Sequence, residues 1–310
     1  MEWHTPEINL FKAGSFNKYG MGSDSALANI LLLADKYDTE IAIDAGVLYR
    51  YYHGKSENRR GYGFPLSEKQ LDLEECVSLL AEDAKKRNVP LEFCLCDEKQ
   101  KGMLDSVLKV SWNTTVDDND YIYSRERLAT LSGRKLQKKR NHVNHFKNTY
   151  PDWHYEQIGM HNKCAALEMA TKWLEERGEP SVAEILEYES IGFTLLNYFD
   201  MNVFGGILYV GDEPVAMTIA SEISPSCVDV HYEKAIGDYA HNGAFAAVNQ
   251  CFASSEAVSK YEFINREEDM GIEGLRRAKE TYDPLCKLQK FYGRADIYEH
   301  IEIKRRLAFG

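Results

Sequence analysis

Two short stretches hold the residues whose types and spacing could do chemistry. In CVDVHYEKAI, from Cys227 to Ile236, apolar and polar residues alternate. The period of two puts Val228, Val230 and Tyr232 on one side of a strand and Asp229, His231 and Glu233 on the other. A general base working near neutrality needs a group that can lose its proton there. A histidine meets that condition unaided, whereas a glutamate needs burial to do so. His231 and Glu233 are therefore the candidate bases, with Asp229 behind them; the same alternation also fits a half-buried strand with a solvated polar side. Further on, the strand YEFIN runs into Asn265-Arg266-Glu267-Glu268-Asp269. Consecutive charges at a strand end are costly to bury without partners. Asp269 is explained as the N-cap and dipole partner of the helix that follows, GIEGLRRAKETYDP. Asn265, Arg266, Glu267 and Glu268 are not explained by capping; at least one of Arg266 and Glu267 is read as contacting substrate, and Asn265 as a donor-binding candidate.

A third feature is electrostatic. From Arg127 to Pro151 there is no acidic residue, against seven basic ones: Arg127, Arg134, Lys135, Lys138, Lys139, Arg140 and Lys147. Leu136, Val143, Phe146 and Tyr150 form a helical stripe, leaving the cations on the other faces. The chain as a whole carries a formal charge of -12. That excludes general affinity for nucleic acid or anionic membrane but not a local basic site. The segment reads either as a solvated linker helix or as an anion-binding face. The second is preferred, with Lys139 and Arg140 as the donor-binding candidates.

The elements that must position these residues follow from pattern. At 310 residues the chain has room for two ordinary domains. In the first half, a helix is predicted over Ser25 to Lys36. The segment EIAIDAGVLYRYY then reads as a hairpin turning at Asp44-Ala45-Gly46, and a loop rich in glycine and charge runs from Gly54 to Gly63. Ser67 and Gln70 match a capping box ahead of the stripe Leu73, Val77, Leu80 and Ala84. The buried strand LEFCLC would put Cys94 and Cys96 on one face. In the second half come a strand near Trp153, helices around Leu167 and around Leu195, and a hairpin turning at Gly211 to Pro214. After Ile236 a turn from Gly237 to Gly243 leads into a helix from Ala244 to about Val258. Helix, hairpin, strand, helix and strand recur in both halves, which suggests a duplicated α+β fold. Seven cysteines without metal spacing suggest free thiols, and no metal site is expected. No apolar run approaches the ~20 residues of a membrane span, and the first residues lack the pattern of a signal peptide, so a cytoplasmic protein is expected.

The segments YIYSRERLATLSGRKLQKKRNHVNHF with YPDW, GGILYVGDEPVAMTIA, VHYEKAI, HNGAFAAVNQ and INREEDMGIEGLRRAKETYDP resemble a bacterial family of unknown function. That family is related to the C-terminal catalytic domain of phosphatidylglycerol lysyltransferases. The resemblance extends over nearly the whole chain. It implies two tandem acetyltransferase-like domains with mixed sheets flanked by helices, residues 1–123 being structural and 124–310 holding the site. It also implies likeness to the peptidoglycan-bridge transferases that take an aminoacyl group from tRNA. In such folds the donor's phosphates sit at the N-terminus of the helix after the fourth strand, which places Asn242 and Gly243 at the donor. The loop lacks the full glycine pattern of coenzyme A-using members. Lys279 corresponds to a phosphate-contacting lysine of the tRNA-using relatives. The lysyltransferases carry membrane-spanning helices ahead of this domain and none is read here, so a lipid head-group acceptor is not implied over a small molecule. The expected function is transfer of an aminoacyl or acyl group from aminoacyl-tRNA or acyl-CoA to an amine or hydroxyl, with no tightly bound cofactor. The alternatives are a coenzyme A-dependent N-acetyltransferase of a small amine, or a non-catalytic binding module.

Overall fold

A computed structural model describes residues 1–13, 16, 20–54 and 59–296; part of the predicted Gly54–Gly63 loop lies outside the described residues. The architecture is mixed α+β. The chain forms two compact units, one of Met1–Asp120 joined by residues 288–296, the other Tyr121–Lys287.

The first unit has β1 (Thr39–Asp44), β2 (Val47–Tyr52), β3 (Gly61–Tyr62), β4 (Glu92–Cys96) and β5 (Val110–Thr114). Its helices are α1 (Leu27–Leu32), α2 (Ala34–Tyr37), α3 (Leu73–Arg87) and α4 (Glu98–Asp105). The predicted hairpin forms with Asp44 opposite Val47, Ala45 and Gly46 both taking positive φ as a tight turn requires. Helix α3 starts later than the capping-box pattern suggested. Asp72 is its cap, accepting from the Glu75 amide at 3.0 Å, while the Ser67 hydroxyl donates to the Gly46 carbonyl. Cys94 and Cys96 do not share a face: Leu95 between them has φ of +60°, and the two thiols pack into different apolar clusters.

The last described strand, which the sequence reading assigned to the second domain, lies in this first sheet. Its order is β1-β2-β3-β4-β13-β5, with β13 (Phe291–Ala295) antiparallel to both β4 and β5. Lys290, at the entry to β13, is buried with its Nζ 2.6 Å from Asp24 and 2.7 Å from Asp120. A buried ammonium held by two carboxylates ties that strand in place, since removing it would leave two buried acids facing each other.

The second unit has β6 (Asp120–Ser124), β7 (Trp153–Gln157), β8 (Phe204–Val210), β9 (Glu213–Ser224), β10 (Cys227–Ala235), β11 (Phe263–Asn265) and β12 (Cys286–Leu288). Its helices are α5 (Arg125–Thr130), α6 (Gln137–Thr149), α7 (Lys163–Glu175), α8 (Val182–Leu196), α9 (Gly237–His241), α10 (Ala244–Ser254) and α11 (Glu273–Glu280). The sheet order is β12-β6-β11-β10-β9-β8-β7. Strands β7 to β10 are antiparallel neighbours, β10 and β11 are parallel, and β6 returns antiparallel to β11. Phe252, Ala253 and Val248 of α10 pack on one side of this sheet with Val228, Val230, Ile264 and Ala235. Side chains of α7 and α8 meet β10 from the other side: Lys234 lies 4.2 Å from the Trp173 ring centroid and pairs with Glu187, and Tyr232 shares a hydrogen bond with Ser190.

In the first sheet β3 lies parallel to β4. Among the described residues no helix is long and apolar enough to cross a membrane.

Candidate functional site

The parallel pair β10/β11 is short. Cys227, Val228 and Asp229 pair with Phe263, Ile264 and Asn265, and then the strands part, β10 continuing to Ala235. Where they part, β10 carries a bulge: its register to β9 shifts between Val230 and Tyr232, leaving His231 as the extra residue. A one-residue slip moves every later side chain to the opposite face. The strict alternation read from the sequence therefore holds only as far as His231. Tyr232, expected beside Val230, points to α8, while Glu233, expected beside His231, points to α10. The candidate residues are consequently split into two groups on opposite faces of one fork.

On the α10 face, Glu233 and Arg266 form an ion pair at 2.7 Å with side chains only 9% and 13% exposed. Asn249 of α10 donates to the other Glu233 oxygen at 2.9 Å. Both carboxylate oxygens are thus engaged, and Glu233 anchors Arg266. The guanidinium is sandwiched among aromatic rings, 4.7 Å from the centroid of Tyr282 and 5.6 Å from that of Tyr123. Its Nη1 is buried with no hydrogen-bond acceptor. Lys139 reaches the same ring from α6, its Nζ 3.8 Å from the Tyr282 centroid. Burial disfavours its charged form and Arg266 repels it, against a weaker pull from Glu233, so its pKa falls from 10.5 to about 8.

On the α8 face, Asp229, His231 and Glu267 converge. The Asp229 side chain is fully buried and that of His231 is 2% exposed. Ser221, opposite Asp229 on β9, lies 2.8 Å from His231 Nε2. His231 Nδ1 stands 3.6 Å from both Asp229 Oδ2 and Glu267 Oε1. Glu267 is aimed by its backbone: its φ is +57°, its amide donates to Asn265 Oδ1 at 2.7 Å, and the loop around it is clamped from α11.

That clamp is Lys279. Its buried ammonium donates to the carbonyls of Arg266, of Glu267 at 3.1 Å and of Glu268 at 2.6 Å. The predicted phosphate contact thus has a different occupation, holding the exit of β11. Asp269 does not cap α11, whose N-cap is Ile272; it takes a two-point ion pair from Arg276 and a 2.6 Å hydrogen bond from Tyr121, which hold its carboxyl well below the usual range.

The remaining donor-site candidates lie apart. Gly243 caps α10 with φ of +106°, and a Cβ there would stand 2.4 Å from the His142 carbonyl oxygen, so the glycine makes room for the α6 backbone. Asn242 is held by the α6 side: it donates to Tyr150 at 2.8 Å and lies 3.4 Å from His145. Arg140 donates to the carbonyls of Leu131 and Gly133 at the end of α5. The basic run is less uncompensated than its sequence suggests, because Asp283 pairs with both Arg127 and Lys135, and Lys147 lies over the Trp153 ring. Arg134, Lys135 and Lys138 are its exposed members, of which Lys135 pairs with Asp283.

Sequence reasoning placed Asp229 behind His231 and Glu233 and did not single out Ser221, Asn249 or Tyr282, which the structure brings to the fork. Only Ser221 had a local signal, its position in the long strand of a recognised hairpin. The others come together through a helix and a loop distant in the chain.

Among curated proteins none matches the chain. It is similar in structure to a conserved protein of unknown function from Bacteroides thetaiotaomicron VPI-5482, with 29% identity over 96% of this chain and 100% of that one and a TM-score of 0.84. The L-PGS structure from Bacillus licheniformis shares the fold at 12% identity, covering 96% and 95% of the two chains with a TM-score of 0.61. FemX shares it at 8% identity, 98% and 99% coverage and a TM-score of 0.54. The family described as phosphatidylglycerol lysyltransferase, C-terminal, matches residues 18–292. With that match spanning most of the sequence, the chain belongs to the family of phosphatidylglycerol lysyltransferase C-terminal domains.

Proposed function

We propose that the protein transfers an aminoacyl or acyl group to an amine or hydroxyl acceptor, and that the reaction takes place at the β10/β11 fork of the second unit. The observation that carries this reading is the buried Arg266 Nη1, a charged donor with no acceptor beside the part of β10 that β11 leaves unpaired. Acyl transfer needs a donor of that kind, preorganised for the oxygen of the carbonyl under attack. Glu233 and the rings of Tyr282 and Tyr123 hold the guanidinium rigid, so it need not reorganise when the charge develops. The unpaired edge of β10 offers backbone groups to an extended donor, as a sheet edge does for any added strand.

Lys139 is suited to the proton. With its pKa near 8 a useful fraction is the neutral amine, which can accept the proton of an incoming ammonium or hydroxyl as the new bond to the carbonyl carbon forms. The proton then passes to the leaving oxygen or sulfur. The family name makes a lysyl donor and a phospholipid head group the first substrates to try. The exposed Arg134 and Lys138 near the start of α6 favour a polyanionic donor such as aminoacyl-tRNA over acyl-CoA. The same reading takes the two sheets as repeats of one acetyltransferase-like unit, of which the first is structural.

The test is a ligand-shift screen of the purified chain against lysyl-tRNA, uncharged tRNA, coenzyme A and acetyl-CoA. Stabilisation by tRNA that weakens steeply with salt supports the reading, since phosphate contacts release counterions. A shift with coenzyme A alone makes acyl-CoA the donor. No shift with any of them overturns the transferase reading and leaves a binding module.

A further inference from the structure

The transfer chemistry above uses the α10 face of the fork and leaves the α8 face without a task. We propose that Asp229, His231 and Glu267 form a binding site for one divalent transition-metal ion, with zinc the best match to the ligand set. The inference stands on these three side chains and does not rest on the transferase reading.

One oxygen or nitrogen from each of the three residues lies within 4.8 Å of the others. The two distances from His231 Nδ1, 3.6 Å to Asp229 Oδ2 and 3.6 Å to Glu267 Oε1, are too long for hydrogen bonds. They are near what two ligands of one ion require. With metal–ligand bonds of about 2.1 Å and roughly tetrahedral angles, ligand atoms stand about 3.4–3.6 Å apart. His231 Nδ1 is buried, has no hydrogen-bond partner and faces both carboxylates. A buried ring nitrogen left so is uncommon and calls for an explanation. Ser221 supplies the outer support that such a ligand has elsewhere. Its hydroxyl oxygen, 2.8 Å from Nε2, can accept that N–H, the tautomer in which Nδ1 carries the lone pair.

Charge points the same way. Two carboxylates around one buried imidazole repel each other, and a dication neutralises both. A nitrogen with two oxygens favours a borderline ion over calcium or magnesium, which take all-oxygen sets. Three protein ligands leave a fourth position open, the pattern of sites that bind a substrate atom or water rather than purely structural ones. The sequence shows no metal spacing because the ligands come from β10 and from the loop after β11, and one of them, His231, is itself the bulged residue.

The experiment is titration of Zn²⁺ into the chelator-treated full chain by calorimetry with a competing chelator, alongside Co²⁺ loading followed by visible absorption. One equivalent should bind, and Co²⁺ should give the intense d–d bands of a low-coordinate site. The near-isosteric D229N and E267Q should each weaken binding at least tenfold, and S221A should weaken it about 10–100-fold. Circular dichroism and metal-free melting temperature establish that each variant is folded. Should D229N fail to fold, E267Q decides, because Glu267 is partly exposed. The proposal is overturned if the folded wild type binds no stoichiometric zinc. It is equally overturned if E267Q binds as tightly as wild type, which would assign the metal to surface groups such as His154, Glu156 and His161.

Discussion

Replacing Glu233 or Arg266 by methionine should reveal a buried ion pair whose partners depend on each other. Their 2.7 Å separation gives an attraction of about 6 kcal/mol at an effective dielectric of ~20. Most of that offsets the desolvation of two charges, so the pair as a whole contributes little. Removing one partner is different, because it strands the other charge among Tyr123, Tyr282 and the α10 core, at a cost of roughly 3–5 kcal/mol. E233M and R266M should each destabilise by that amount. The double variant E233M/R266M should return to within about 2 kcal/mol of the wild type, since thioether chains of similar length fill the space. The assay is urea unfolding followed by Trp153 and Trp173, in a W3F/W112F background that silences the tryptophans of the first unit. Additive costs below about 1 kcal/mol for each single variant would mark a solvated surface pair. The claim that Glu233 is the anchor of Arg266, and with it the rigid oxyanion donor, would then be wrong.

Three further outcomes follow from the same unit. Lys139 releases its proton near pH 8 when folded and near 10.5 when free, so the folded state holds fewer protons across that window and stability should rise with pH there; K139M should remove that rise from a plot of stability against pH, and an unchanged slope would show Lys139 to be solvated. G243A should cost ~2–4 kcal/mol, because its φ of +106° is strained for any L side chain and the new methyl meets the His142 carbonyl; a loss under about 1 kcal/mol in thermal melts would mean that α6 can move away. K279M should free the carbonyls of residues 266–268, seen as faster hydrogen exchange at the amides of Arg266 and Glu267, while α10 stays protected; no change in exchange would refute the clamp.

The sequence disclosed the elements better than their ends. Both hairpins turn at a glycine with positive φ, Gly46 in the first and Gly211 in the second, and α10 begins where Gly243 stands. Local chemistry misled where it was incomplete. The Ser67–Gln70 pattern is not a cap, while two capping boxes that do form, Asp97 with Gln100 and Ser181 with Glu184, went unused. The place of β13 could not be read locally, since it depends on Lys290 meeting Asp24 and Asp120, acids far away in sequence.

The candidate site failed to be legible for one identifiable reason. Counting by twos along Asp229, His231 and Glu233 assumes an unbroken pleat, and a bulge leaves no mark in residue type when the bulged residue is not glycine. All three residues lie at the fork, yet the bulge gives them different neighbours. Glu233 is handed to Arg266 and Asn249, whereas His231 stays with Asp229 and gains Glu267. The polar run after β11 obeys the same logic from the other strand. Arg266 and Glu267 follow the end of β11 on opposite faces, Glu267 turned by its φ of +57°, and each meets the β10 group that the bulge has placed there. Read this way, the charges that seemed too expensive to bury are affordable because the fork sorts them, one ion pair beneath α10 and one histidine with its carboxylates beneath α8. A chain with the same residues but no bulge would put Glu233 beside His231 and Asp229, three acids and an imidazole on one face including Glu267, and leave Arg266 buried without a counter-charge.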